Sequence, residues 1–164
     1  MLQQLRFLAL PTIISTPTLD TAQFGSGELM LATLTPLAEL ANVFQMGGAL
    51  LQSLVVKDVS GQSGAFDVVL FKAATLPAST LTTNAAINIA DADLPMYCGT
   101  VHIVANDYDT AWAANSVATK TGINLVLNPD PTTANSSVWY LLVSRDTKTY
   151  AAAGLTLEFG FVRD

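Results

Sequence analysis

Few residues in this chain are of a type that does chemistry. There is one histidine, His102, and one cysteine, Cys98. Both lie in YCGTVHIVAND, whose TVHIVA core reads as a strand, and alternation gives them one strand face if the strand reaches back to Cys98. A thiol beside an imidazole is the start of a nucleophilic pair. General-base work also needs a poised pKa and a partner within reach, and no orienting third residue or oxyanion-hole motif is recognisable. A lone strand histidine is more often a satisfied structural residue. His102 is read that way, and no catalytic residue is assigned.

Metal and cofactor chemistry fares no better. A zinc site wants several Cys or His ligands, and the chain has one of each. Asp91-x-Asp93 and Asp107-x-Asp109 offer paired carboxylates, but neither continues into an EF-hand loop. Short Asp pairs beside strands are ordinary turn chemistry. Gly25-Ser26-Gly27 lacks the third glycine and the strand-to-helix context of a phosphate cradle. Asn135-Ser136-Ser137 fits the glycosylation pattern, which chance also produces. No metal and no cofactor is expected. Among the aromatics, Trp139 sits in an apolar run and is read as core. Tyr108 and Trp112, beside Asp107 and Asp109, form the one candidate exposed binding cluster, which would suit a carbohydrate-binding β module.

Charge points away from nucleic acid. The net charge is −6, and the seven basic residues (Arg6, Lys57, Lys72, Lys120, Arg145, Lys148, Arg163) are spread thinly. Nucleic-acid binding depends on several phosphates neutralised together. Charged residues make up only 12% of the 164, and hydrophobic ones 51%. A chain so poor in charge keeps apolar surface against a partner, since large apolar patches are rare on free monomers. Stable self-association is therefore expected. In the opening residues only Arg6 precedes Phe7-Leu8-Ala9-Leu10, and Pro11 interrupts the apolar run. That is a poor match to a secretory leader, and no run reaches a membrane span. Synthesis in the cytoplasm, with no membrane partner, is the expectation.

The elements that must carry these residues are strands. Leu155, Leu157, Phe159 and Phe161 alternate with Thr156, Glu158 and Gly160, which sends four large apolar groups to one side. The run 136–144, apolar on both faces, reads as its partner and as a strand covered on both sides. ALLQSLVVKD (49–58) and FDVVLFK (66–72), separated by a Gly/Ser loop, read as a hairpin. TVHIVA (100–105) and the run 115–127, with Val117, Ile123, Leu125 and Leu127, are further strands. Asn128-Pro129-Asp130-Pro131 closes the latter. Helix is scarce: a short turn at Asp91–Pro95, and PLAELANVF (36–44) balanced between helix and strand. The polar stretch 15–30, with Pro17, Gly25 and Gly27, reads as a linker or a long loop. Residues 1–30 are thus an N-terminal arm and linker, and 31–164 a single β domain. Many short strands parted by Gly, Pro and Asn turns indicate a mainly β fold, an antiparallel β-sandwich or small barrel of jelly-roll type.

Two blocks, LVVKDVSGQSGAFDVVLFKA (54–73) and NAAINIADADLPMYCGTVHIVAND (84–107), together with SVATK (116–120) and the closing LTLEFGFVRD, resemble a group of small virion structural proteins of tailed bacteriophages. Some members of that group are capsid decoration (cement) proteins. The resemblance spans about residues 48–164, and its motifs are strand and turn patterns. It implies a non-enzymatic protein, made in the host cytoplasm, that sits on the capsid exterior as a homotrimer. There it would clamp neighbouring subunits of the major capsid protein. The apolar arm is then the expected capsid contact, with Leu5, Phe7 and Leu8 as anchors. A head, neck or tail component is the neighbouring alternative.

Overall fold

Alternation becomes a core most plainly at the C-terminus. In the computed structural model, which describes residues 8–9, 12–37, 49–109, 114–127 and 138–163, the last strand is β12 (Leu155–Arg163). Its Leu155, Leu157, Phe159 and Phe161 are all buried, as the two-residue period requires. On one side β12 pairs antiparallel with β5 (Ala49–Asp58). On the other it pairs with two short strands set end to end, β1 (Leu8–Ala9) and β2 (Ile13–Ser15). Beyond β5 come β9 (Ser116–Leu127) and the short β8 (Tyr108–Asp109), completing a six-stranded sheet. The second sheet has four strands in the order β4 (Thr35–Pro36), β10 (Trp139–Ser144), β6 (Phe66–Phe71) and β7 (Tyr97–Ile103). A two-stranded ribbon pairs β3 (Gln23–Phe24) with β11 (Lys148–Thr149). All these strand pairs are antiparallel. The sheets do not close into a barrel.

The inner faces meet through aromatic side chains. The Tyr140 ring lies 5.5 Å from that of Phe159, and its hydroxyl shares a 2.7 Å hydrogen bond with Ser15. Burial pushes the Tyr140 phenol up to about 12, against the hydrogen bonds from Ser15 and Thr35. The smaller sheet is also covered outside: every residue of β6 is buried. The long connection from β6 to β7 supplies cover, since Leu76 is buried and Leu81, Ile87, Ile89 and Met96 pack against the core. Leu29 bridges that connection at Thr83 to Val143 of β10.

Several expectations are corrected here. The run 136–144 does not pair with the C-terminal strand; β10 lies between β4 and β6 in the other sheet. A strand apolar on both faces needs cover on both, which only the smaller sheet has, whereas β12 alternates and suits a sheet with one open face. Strands β5 and β6 are not a hairpin, because each pairs within a different sheet. The loop between them is an arch that carries the chain from one sheet to the other. Asp58 organises it: one carboxylate oxygen accepts the Ser60 N–H and the other the Ser63 N–H, both at 2.8 Å. Gly61 has a left-handed φ of 62°, and a Cβ there would stand 2.8 Å from the Ala114 carbonyl oxygen.

The stretch 15–30 is not a linker. Leu19, Phe24, Leu29 and Met30 are buried in the common core, and the Leu19 and Gly27 N–H groups bond to Ala152 and Ser144 carbonyls. Its apolar residues are too irregularly spaced to show a period, so the stretch reads as polar although it is built in. Asp91–Met96 is a 3-10 turn, but Asp93 does not cap it; buried, it accepts the Ala78 N–H at 3.1 Å and the Ser79 hydroxyl at 2.6 Å. In β9 the alternation slips at a bulge against Leu51–Ser53, where Gly122 and Asn124 take positive φ. Ala118 and Leu127 therefore both face inward while Val117 faces out. Beyond Pro36 and Leu37, the balanced helix-or-strand stretch lies outside the described residues, as does the proline loop after Leu127.

Candidate functional site: a clamped carboxylate beside an edge cleft

The sequence offered a histidine without partners; the fold gives it Asp67, a carboxylate that Arg145 also holds. Asp67 of β6 stands directly across from His102 of β7 and from Val143 of β10. The residue immediately after β10, Arg145, returns to the same carboxylate, its backbone fixed by an N–H bond to the Ala65 carbonyl. His102 Nδ1 lies 2.7 Å from one Asp67 oxygen, and Arg145 Nε lies 2.7 Å from the other. A second guanidinium nitrogen of Arg145 reaches that second oxygen at 2.5 Å. The Asp67 side chain is 3% exposed, while His102 is 69% and Arg145 47% exposed. A buried carboxylate is costly unless paired and hydrogen-bonded. Here two cation-type side chains lie over it with their outer parts in solvent.

The clamp fixes the imidazole through Nδ1 and leaves Nε2 directed away from Asp67. An oriented imidazole is half of a general base; the other half is a proton to take within about 2.6–3.2 Å. Among the described residues no hydroxyl or thiol is bonded to His102. Cys98 does not supply one. A bulge at Leu70/Phe71 breaks the β6–β7 register and brings Tyr97, not Cys98, opposite Phe71. The Cys98 thiol donates instead to the Met96 carbonyl, at 3.9 Å. Burial pushes its thiol up, against the pull of Lys72, so the nucleophilic form is disfavoured.

Beside the clamp, β7 and β9 border a cleft of about 320 Å³ lined by Thr100, Val101 and His102 on one wall and Lys120, Thr121, Gly122 and Ile123 on the other. Lys120 is held by both oxygens of Asp107, at 2.9 and 2.7 Å. Burial pushes the Asp107 carboxyl up, but the Lys120 contact and the Val104 N–H outweigh it, leaving it below the usual carboxylate range. Among the described residues no group of three or more His, Cys, Asp or Glu could hold a metal ion. Asp107 and Asp93 instead close turns.

The other candidates fall as follows. Tyr108, expected in an exposed cluster, is 7% exposed. Its pairing with Ala118 of β9 turns it to the inner face. Burial, then the nearby Tyr150 and Asp58, raise its phenol far above the usual tyrosine value, and its hydroxyl has no hydrogen-bond partner among the described residues. Trp112 lies outside the described residues, as do Leu5 and Phe7; the backbone of Leu8 pairs with Arg163 of β12. Trp139 packs, half-buried, against the core.

A separate apolar feature lies on the outer face of the larger sheet. One row joins Val162, Leu50 and Val126 across β12, β5 and β9. Another sets Ile14 and Val55 on either side of Glu158, with Val117 beyond Lys57 on the neighbouring row. Ile14 is 65% and Val126 58% exposed. Lys57 and Glu158 form an ion pair within this surface. The sequence showed the apolar residues but not that they share an uncovered face, and it gave no sign that Asp67 and Arg145 belong with His102. The one available hint was an aspartate inside the otherwise apolar FDVVLF. Compared with known proteins, the chain matches no family model and none of the curated proteins.

Proposed function

We propose that this chain is a virion structural protein of the decoration (cement) type, which binds the outside of a viral shell and clamps neighbouring capsid subunits. The observation that carries the reading is the outer face of the larger sheet. An antiparallel sheet with one open side normally carries polar groups there. This one carries the apolar row of Val162, Leu50 and Val126 and, around the Lys57–Glu158 pair, Ile14, Val55 and Val117, with Ile14 and Val126 more than half exposed. Such a surface gains by being covered, at about 25 cal/mol per Å² of apolar area before ordering costs. The low charge content is of a piece with it.

The strand order supports a jelly-roll form of the sandwich. Taking β2, β4, β5, β6, β7, β9, β10 and β12 as the eight principal strands, the first pairs with the last, β4 with β10, β5 with β9, and β6 with β7. That nested pairing is a long hairpin rolled into two sheets, the arrangement of many capsid-associated domains. In this reading the shell contact is shared between the open face and the N-terminal segment with Leu5 and Phe7.

The test is binding to shells stripped of their decoration protein, followed by co-sedimentation. The native chain is expected to saturate the shells, in hundreds of copies; a dozen copies would mark a neck component instead. Ile14→Glu/Val126→Glu should fold and fail to bind, and removal of residues 1–7 should weaken binding. Saturation by the double variant at the native concentration would sink the reading.

A further inference from the structure

The cleft between β7 and β9 is closed at both ends. At one end Leu125 lies over the strand: a Cβ on Gly99 would stand 2.6 Å from Leu125 Cδ1. At the other, Lys120 reaches Asp107, the last residue of the 3-10 turn that follows β7. Between them lies a bay of about 320 Å³, at the lower end of the range of small-ligand sites. Each wall presents one polar head held from behind by a carboxylate. On the β7 wall Asp67 holds His102 through Nδ1. On the β9 wall both oxygens of Asp107 hold Lys120, and Asp107 is itself fixed by the Val104 N–H at 2.9 Å. Asp67, bridged to Arg145, offers only acceptors, so the hydrogen of the His102–Asp67 bond is assigned to Nδ1. The neutral ring then keeps a lone pair at Nε2. Of the three N–H donors of Lys120, Asp107 takes two. The bay therefore faces its contents with one fixed acceptor and one fixed donor.

We propose that this bay binds a neutral, hydroxyl-rich ligand of the size of one sugar ring, whose hydroxyls donate to His102 Nε2 and accept from Lys120 Nζ. A hydroxyl is the group that does both. Charge argues against an ion: Lys120 is offset by Asp107 and Arg145 by Asp67, so a charged ligand would lose its water without gaining a counter-charge. The closed ends argue against an extended peptide, which needs a groove open at both ends to run along a strand edge. The remaining surroundings suit the apolar C–H faces of a sugar ring. Val101 and Ile123 line the bay, and the half-exposed Tyr97, its hydroxyl 2.9 Å from that of Thr100, stands at the Gly99 end of the strand. Both heads are locked before any ligand arrives, so little order has to be imposed on binding. A free sugar or polyol and the terminal residue of a larger glycan present the same chemistry. Shell binding plays no part in this site, so failure on shells leaves it standing.

The test uses the full chain and its single histidine, whose imidazole proton resonances report on the bay. Glucose, galactose, mannose, N-acetylglucosamine and glycerol are titrated as neutral probes, with acetate as the anionic probe and tri-alanine amide as the peptide. At least one neutral probe is expected to shift the His102 signals saturably, with acetate and the peptide silent. Lys120→Met should weaken that binding about tenfold, while Lys148→Met, outside the bay, should leave it unchanged. Should Lys120→Met fail to fold, His102→Leu at its exposed position serves instead. Saturation transfer to the ligand's own signals is then the readout, and binding should fall likewise. The sugar that binds is next offered as the terminal residue of immobilised glycans. Retention assigns the site to glycans and binding of the free form alone assigns it to a small sugar or polyol, and either upholds the proposal. No saturable shift with any neutral probe, an equal response to acetate or to the peptide, or unchanged affinity in the variant would overturn it.

Discussion

Two aspartates are buried in this protein in opposite ways. Asp67 sits at the outer side of the smaller sheet under two solvent-reaching side chains, His102 and Arg145. Asp58 closes β5 with no cation upon it among the described residues; its partners are the Ser60 and Ser63 N–H groups and, at 3.5 Å, the Ser116 hydroxyl. Around it stand Tyr108 and Tyr150, whose phenols are raised first by burial and further by the Asp58 charge. The difference is one of job. Backbone donors define a chain path, so Asp58 builds the arch between the sheets. Side-chain donors define a surface, so Asp67 holds an imidazole and a guanidinium in place beside the cleft between β7 and β9.

The sharpest way to break the comparison is Asp58→Ala. It removes the acceptor of two backbone N–H groups in a partly exposed arch, and the expected loss is about 3 kcal/mol, read as a shift in denaturant midpoint. Alkali should probe the same region next. Tyr140, with its phenol at about 12, stands above the ordinary tyrosine value near 10. A group raised in the folded state contributes stability that is complete below the unfolded value and is lost as pH rises through the folded one. Stability should therefore be flat below about pH 10 and fall from there to about pH 12, by about 3 kcal/mol for this group. In a Tyr97→Phe background, which removes the exposed phenol, tyrosinate absorbance should rise together with unfolding, and Tyr140→Phe should lessen the fall, Tyr108 and Tyr150 carrying the rest. Absorbance rising well before unfolding would contradict the burial.

On the Asp67 side the effects are smaller, because water can reach the partners. Arg145→Ala removes the two-nitrogen contact from a buried carboxylate, with an expected loss of about 2 kcal/mol, below the 3–5 of a fully buried pair. His102→Ala should cost about 1 kcal/mol, since Arg145 still covers Asp67. If His102→Ala cost more than Arg145→Ala, the imidazole and not the guanidinium would be the principal counter-group. Smallest of all, Val126→Thr on the open face should change monomer stability by less than about 0.5 kcal/mol. It should instead weaken shell binding.

Much of this architecture was legible in the residues. The alternation of Leu155, Leu157, Phe159 and Phe161 named a core face, and the two apolar faces of 138–143 named a strand covered on both sides; both hold. Pairing was not legible. The arch at 59–65 and a hairpin loop have the same Gly/Ser composition, and what separates them is where Asp58 sends its hydrogen bonds. Tyr108 looked exposed because its neighbours Asp107 and Asp109 are polar, but alternation in β8 turns it inward while they stay outside.

The sequence by itself determined a β protein, short of charge, with apolar side chains in excess of what one core needs, because those follow from composition and from a two-residue period. Only the tertiary structure decided which strands share a sheet, that Asp67, His102 and Arg145 meet, and that β7 and β9 border one cleft. Those are long-range facts: the three clamp residues lie 35 and 78 positions apart along the chain, and no local pattern records a contact made only when the sheets are assembled.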